Sequence, residues 1–372
     1  MAAKRPVLMI GSSTDCPDIE YATGFRAADP VVFLRAGRRT YLVVPEFERN
    51  RAERAGKRTH VLSPGELRRS GKRLRRIEEW ALCLVKKLGI AEVSVPGTFP
   101  LAVARYLERH SVRVHVAKEG LFTGRAVKTK EELRNMREAQ QAAVIAMRGV
   151  VACIAESEPD SRGYLRVDGE RLTVEGLRET IRQILLQRNC FAEEVIVAPG
   201  PQSADPHEAG RGPLRNGEAV VIDIFPQHLG HRYCGDLTRT VVRGKPAVEL
   251  KRMYQAVKAA QGEALSCLRA GVKCSTVHSA AVEEFERRGF ETKRVAGTPA
   301  GFTHSTGHGV GLSIHEMPSV GPNGTRLRRG NVVTVEPGLY YPGIGGVRIE
   351  DTVEVTADGW RYLAPCEKRF EL

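Results

Sequence analysis

No two cysteines in this 372-residue chain stand three positions apart, although it holds eight of them. Without a C-x-x-C pair, neither a zinc knuckle nor a disulfide scaffold is indicated, and Cys16, Cys83, Cys153, Cys190, Cys234, Cys267, Cys274 and Cys366 read as reduced, mostly buried thiols. Apolar runs are also short: none approaches the ~20 residues that span a bilayer, so no membrane partner is expected. The opening MAAKRPVLMIGSS carries two cations but too brief an apolar stretch for a secretory signal. It reads as a first strand, and a cytoplasmic location is the expectation.

What is abundant is positive charge, and it is unevenly spread. The net charge is +13, of which residues 1–125, with 24 Lys+Arg against 13 Asp+Glu, hold +11. The densest run, RRSGKRLRR (68–76), has six cations in nine residues. No aromatics interleave with it and no nucleic-acid motif accompanies it, so it reads as a solvated helix face, and no nucleic-acid partner is expected.

A chain of this length suggests two domains. In the first 125 residues, β-branched runs (5–10, 31–36, 40–45, 92–96, 112–116) alternate with helical patterns, which predicts an α/β sheet domain. Ser63-Pro64-Gly65-Glu66 reads as the capped start of a helix continuing to Leu88. A boundary is placed at 125/126. Thr129 and Glu132 form a second capping box, and Leu133, Met136, Ala143, Met147, Val150 and Ile154 mark one face of a helix over 129–156. From there one scheme runs twice. Helices over 129–156 and 173–189 precede strands at 193–200, 218–226 and 235–242; helices over 247–270 and 275–288 precede strands at 331–341 and 346–356. Two such halves predict a pseudo-symmetric α+β domain with a site where they meet.

Chemistry is concentrated in this second region. Asp223 in VVIDIFP, Glu336 in VVTVEPGL and Glu350 in GVRIEDTV sit among strand-forming apolar residues, and Asp236 precedes LTRT. Buried alone, each carboxylate is costly; each also has a bland explanation in pairing, Asp236 with Arg239 and Glu350 with Arg348. A shared cation accounts for all four together. The stretch THSTGHGVGLSIHEMP (303–318) supplies His308 between two glycines, and four carboxylates with one imidazole suit a pair of first-row divalent ions holding a nucleophilic water. His304, His315 and the more distant His207 read either as satisfied structural histidines or as donors to the oxyanion of an attacked carbonyl.

Taken in order, IDIFP, GDLTRT, HSTGHGVGLSIHE, VEPG and VRIED make the chain similar, over nearly its whole length, to the pita-bread metallopeptidases, in the branch of Xaa-Pro aminopeptidases and Xaa-Pro dipeptidases (prolidases). The resemblance implies a creatinase-type N-terminal domain over 1–125 and a pita-bread catalytic domain over 126–372. It implies Asp223, Asp236, His308, Glu336 and Glu350 as metal ligands, with Asp236 and Glu350 bridging. Glu336 would also carry the proton to the leaving nitrogen, His207 and His315 would orient the scissile amide, and His304 and Arg348 would line the proline side. Two manganese ions, with cobalt, zinc or iron fitting the same donors, an Xaa-Pro dipeptide or short peptide substrate, and a homodimer are implied with it. One departure stands out: Asp223 and Asp236 are thirteen residues apart where eleven is usual, and the extra residues fall in 226–234, whose His228 and His231 are expected to face solvent, with a place at the pocket rim as the alternative. Competing readings are a catalytically inactive binding module and a metal-dependent hydrolase or lyase of the same fold. Methionine aminopeptidases would leave 1–125 unexplained, and creatinase-like enzymes lack the ligand set.

Overall fold

β-branched segments and amphipathic helices alternate through the first 125 residues. In a computed structural model describing residues 5–55, 58–67, 74–117, 120–295 and 297–372, they assemble into a unit of their own, Met1–Arg125. Its six-stranded sheet runs His60–Leu62, Arg39–Val43, Val31–Ala36, Val7–Gly11, Glu92–Val95, Arg113–Val116. Alternation along the strands gives the sheet two apolar faces. Leu8, Val32 and Leu34 pack with helices Ile77–Lys87 and Leu101–Arg109 on one side, while Met9, Phe33 and Leu42 pack with helix Pro17–Thr23 on the other.

The helix expected from Ser63 does not start there. Ser63 donates its backbone N–H to the Glu66 carboxylate at 2.8 Å, and Glu66 returns its own to the Ser63 carbonyl, closing an isolated turn. The helix begins at Ile77, where the Glu79 carboxylate accepts the Arg76 N–H at 3.0 Å. A Ser-x-x-Glu pair satisfies orphan backbone groups equally well in a lone turn, so the motif by itself does not dictate continuation. Residues 68–73 of the basic run lie outside the described residues.

The second unit, Ala126–Leu372, opens with helix Lys130–Glu156, whose capping box is formed: Glu132 N–H to Thr129 Oγ1 at 3.2 Å, and Thr129 N–H to the Glu132 carboxylate at 2.7 Å. All six residues of its expected apolar face are buried. Four of them, Ala143, Met147, Val150 and Ile154, cover the antiparallel sheet Val195–Pro199, Ala219–Ile224, Leu237–Val242 together with helix Val174–Gln187. Helices Val248–Cys267 and Cys274–Arg287 repeat the arrangement over a five-stranded sheet ordered Glu316–Val320, Gly307–Gly309, Val332–Val335, Asp351–Val355, Trp360–Tyr362. The expected strands 331–341 and 346–356 are each broken in two. Pro337 cannot donate to a ladder, and Gly338–Tyr341 leaves to pair with Gly345–Arg348 as a separate hairpin. No helix among the described residues is long and apolar enough to cross a membrane.

Arg239 fastens the sheets to the C-terminal segment. Its guanidinium donates to the carbonyls of Thr238, Glu350, Cys366 and Glu367 and pairs with Asp351 at 2.7 Å, both side chains almost wholly buried. Its pairing is thus with Asp351, whereas the sequence offered Asp236. Arg239→Met leaves four carbonyls and part of a buried carboxylate without their donor, and is expected to destabilise the unit by about 3–5 kcal/mol. Urea unfolding measures this, and a loss under about 1 kcal/mol contradicts the assignment.

Candidate metal centre

Five side chains named from the sequence converge where the two halves of the second unit meet. Asp223 lies in the middle strand Ala219–Ile224 and Asp236 just ahead of Leu237–Val242. His308 is the central residue of Gly307–Gly309, Glu336 follows Val332–Val335, and Glu350 sits between Arg348 and Asp351. Only Asp223 and His308 are therefore inside strands; Asp236, Glu336 and Glu350, read from sequence as strand residues, occupy strand ends. Strand ends suit them because backbone groups there are free to be redirected: the Glu336 N–H goes to the Thr306 carbonyl and that of Glu350 to the Thr238 carbonyl. The glycines around His308 have a steric cause. A Cβ on Gly307 would lie 2.1 Å from the Thr334 carbonyl oxygen, and one on Gly309 2.5 Å from that of Met317, so only glycine lets this strand lie flush between its neighbours.

Nitrogen and oxygen atoms of Asp236, His308 and Glu350 lie within 4.8 Å of one another. His308 Nε2 is 3.2 Å from Glu336 Oε1 and 3.7 Å from Asp236 Oδ2. The His308 Nδ1–H donates to the Gly309 carbonyl at 3.2 Å, which turns Nε2 toward the cluster; while protonated it donates to Glu336, and the same nitrogen is the one a metal would take in place of that proton. Each carboxylate is held from behind. Thr238 Oγ1 donates to Glu350 and Thr334 Oγ1 to Glu336. Gln140, from helix Lys130–Glu156, takes the Asp236 N–H and donates to the Asp236 carbonyl, both at 2.8 Å.

The electrostatics call for a cation. Burial, followed by the charges of neighbouring carboxylates, pushes Asp236 and Glu350 well above the usual carboxylate range. Glu336, which burial alone would raise, is drawn down to about 2 by the hydrogen bond and charge of His308. His308, which burial would lower, is raised by the same contact. Asp223 accepts from Arg348 on Oδ2 at 2.7 Å, yet its Oδ1 is buried with no hydrogen-bond partner. A buried carboxylate oxygen without a partner is unusual. Its position beside three further carboxylates and an imidazole fits hard or borderline divalent ions.

The remaining sequence candidates divide. His315 is exposed, its ring meeting that of His308 edge to face at 4.2 Å, and its pKa is lowered by burial and then by the charge of His308. His207 is exposed on the loop after Gly200–Ala204, and its charge is felt at both His304 and His315. His304 and Arg348, expected to face the proline side, are turned to the protein. His304 donates from Nδ1 to the Ser305 carbonyl and accepts on Nε2 from the Tyr340 hydroxyl at 3.0 Å. Arg348 is buried and donates to Asp223, Tyr340, Thr238 and the Pro206 carbonyl. The proline-side expectation for both comes from the family resemblance; in the structure four protein acceptors take the guanidinium's donors. Tyr340, Thr238, Thr334 and Gln140 were not singled out from sequence, since hydroxyls and an amide in apolar segments carry no spacing signal.

Loop 226–234 also departs from expectation. His228 and His231 are half-buried and stacked at 3.8 Å, close to Glu138. The three form a candidate cation group in which each histidine Nδ1 already accepts a backbone N–H and His231 Nε2 lies 3.5 Å from Glu138.

Residues 134–357 match the profile of metallopeptidase family M24. The Xaa-Pro dipeptidase of Pyrococcus horikoshii is 30% identical over 359 residues, 95% of this chain and 92% of that one. That of Pyrococcus furiosus is 35% identical over 248 residues, 66% of this chain and just under two thirds, 65%, of the relative's own length. The crystal structure of the prolidase from Pyrococcus horikoshii superposes with a TM-score of 0.80 at 26% identity, covering 98% of this chain and 94% of that one.

If the cluster binds divalent ions, manganese at about 100 times its dissociation constant should stabilise the folded chain by about 2.7 kcal/mol. Thermal unfolding with saturating manganese and with chelator compares the two states, and identical midpoints contradict a metal centre.

Proposed function

This chain belongs to metallopeptidase family M24, and from that premise we propose that it is a dinuclear-metal exopeptidase hydrolysing the bond between an N-terminal residue and proline. The observation that carries this reading is the grouping of Asp236, His308, Glu336 and Glu350 with Asp223, whose charge acts on Asp236 and Glu350 and whose Oδ1 is buried without a partner. We assign these five as ligands of two ions, with Asp236 and Glu350 shared. Manganese is the proposed metal because oxygen donors outnumber nitrogen. When bound, the ions supply an acidified water and a Lewis acid for the carbonyl.

The chain's own groups then have distinct tasks. Glu336, ionised and in contact with His308, takes the proton of the attacking water and delivers it to the leaving nitrogen. Proton delivery matters because the nitrogen has to leave as a neutral amine and not as an amide anion. His315 and His207, both exposed and close enough for the charge of one to act on the other, orient the scissile amide and donate to its developing oxyanion. Arg348 and His304 are assigned a supporting role: Arg348 fixes Asp223, and Tyr340 links Arg348 to His304. The unit before residue 126 is proposed to be a creatinase-type domain, and a cytoplasmic homodimer is the proposed assembly. That both relatives are Xaa-Pro dipeptidases supports a dipeptide as the preferred substrate.

The test is cleavage by manganese-loaded protein of Ala-Pro, Ala-Ala and a longer Xaa-Pro-Xaa peptide. Release of proline from Ala-Pro with Ala-Ala untouched is the expected result; cleavage of the longer peptide alone reassigns the chain to aminopeptidase P, and cleavage of none overturns the reading. Two variants separate the roles. His308→Ala is expected to lose metal and activity together, whereas His315→Ala keeps its metal and loses about 10²–10³ in turnover. Metal analysis beside kinetics checks both.

A further inference from the structure

The segment that carries His315 is gripped by an ion pair for which the proposed reaction has no use. Lys128 Nζ donates to Glu316 Oε1 at 2.5 Å, with the side chains 1% and 10% exposed. Lys128 immediately precedes the cap of helix Lys130–Glu156, and its backbone N–H is fixed on the Gly330 carbonyl at 2.7 Å. Glu316 directly follows His315, is in register with Gly309 beside His308, and lays its carboxylate against Gly311, where a Cβ would come within 2.4 Å of it. On another side, Cys234 N–H donates to the Gly311 carbonyl at 2.8 Å and Gln227 to that of Leu312 at 3.3 Å.

Burying an ion pair seldom adds net stability over an apolar pair, so its consequence is sought in geometry. Here it fixes where residues 311–316 sit relative to Gly307–Gly309, and hence where the His315 ring stands against that of His308. The same helix holds the backbone of Asp236 through Gln140. One helix therefore references both a proposed ligand and a proposed substrate-orienting group.

We propose that the Lys128–Glu316 ion pair is a positioning device that sets His315 over the metal cluster. The inference rests on the reading of His315 as the group that orients the scissile amide. Misplacing such a group by about 1 Å costs on the order of 10²-fold in rate.

The experiment uses full-length, manganese-loaded Lys128→Met, Glu316→Gln and the double variant with Ala-Pro. Each single variant is expected to lose roughly 10–100-fold in kcat with metal content unchanged and KM within about threefold of wild type. The double variant loses no more than the worse single one, because the two residues act as a unit, and Lys128→Arg regains most of the rate. Unchanged kcat, losses that multiply in the double variant, or metal lost in step with activity each overturn the proposal. Amide exchange supplies a readout that does not depend on turnover: backbone amides of 311–316 should exchange roughly tenfold faster in Lys128→Met, while those of 332–335 do not. Equal exchange also overturns the proposal, whereas wild-type protein that cleaves no Xaa-Pro peptide, yet shows faster exchange in the variant, locates the failure in the functional reading alone.

Discussion

Four carboxylates share one buried space in this protein, and the arrangement of the second unit follows from that repulsion. Asp223, Asp236, Glu336 and Glu350 come from two sheets and from either side of the pseudo-symmetric halves. Among the described residues, the Arg348 guanidinium and, while protonated, the His308 imidazole reach them, on Asp223 and Glu336 respectively. Burial, and after it the neighbouring carboxylate charges, still pushes Asp236 and Glu350 upward. Divalent ions remove the imbalance by replacing protons, so metal binding, stability and activity are coupled through one electrostatic term.

Precision comes from neutral groups behind the charges. Thr238 and Thr334 each point a hydroxyl at one carboxylate, Gln140 and Thr352 clamp the backbone of Asp236, and the Gly309 carbonyl turns His308 Nε2 toward the cluster. Gln261 donates to the carbonyls of Val335 and Ile349, one residue before Glu336 and Glu350 respectively. Such partners cost little to bury because their own hydrogen bonds are satisfied, and they leave each donor atom few alternatives. This division explains why helices Lys130–Glu156 and Val248–Cys267 each place a glutamine among otherwise apolar buried residues.

Much of this was legible in the sequence, for identifiable reasons. Asp223 betrayed itself because a carboxylate inside AVVIDI has no inexpensive structural use, whereas the reason for the glycines flanking His308, close contact with the Thr334 and Met317 carbonyls, was not readable. The long helix was readable from Thr129, Glu132 and the apolar period that follows. Less was readable where one local pattern serves two structures. Ser63 and Glu66 close a turn as well as a helix, and VEPG and RIED look continuous although each breaks where its carboxylate turns inward. The protein partners of Arg348 and His304 were not readable, because sequence shows that a polar group is present without showing which acceptors reach it. The partners of Lys128 and Arg239 lie 188 and 112 residues away, beyond any local signal.

The central claim is that the carboxylate cluster holds two cations bridged by Asp236 and Glu350. Crystals grown with manganese, with diffraction collected at the manganese absorption edge, test it directly. The account predicts two anomalous peaks about 3.5–4 Å apart, both within coordination distance of Asp236 and Glu350, with Asp223 on one and His308 and Glu336 on the other. An empty cluster, a single peak, or a peak confined to Glu138, His228 and His231 would contradict it.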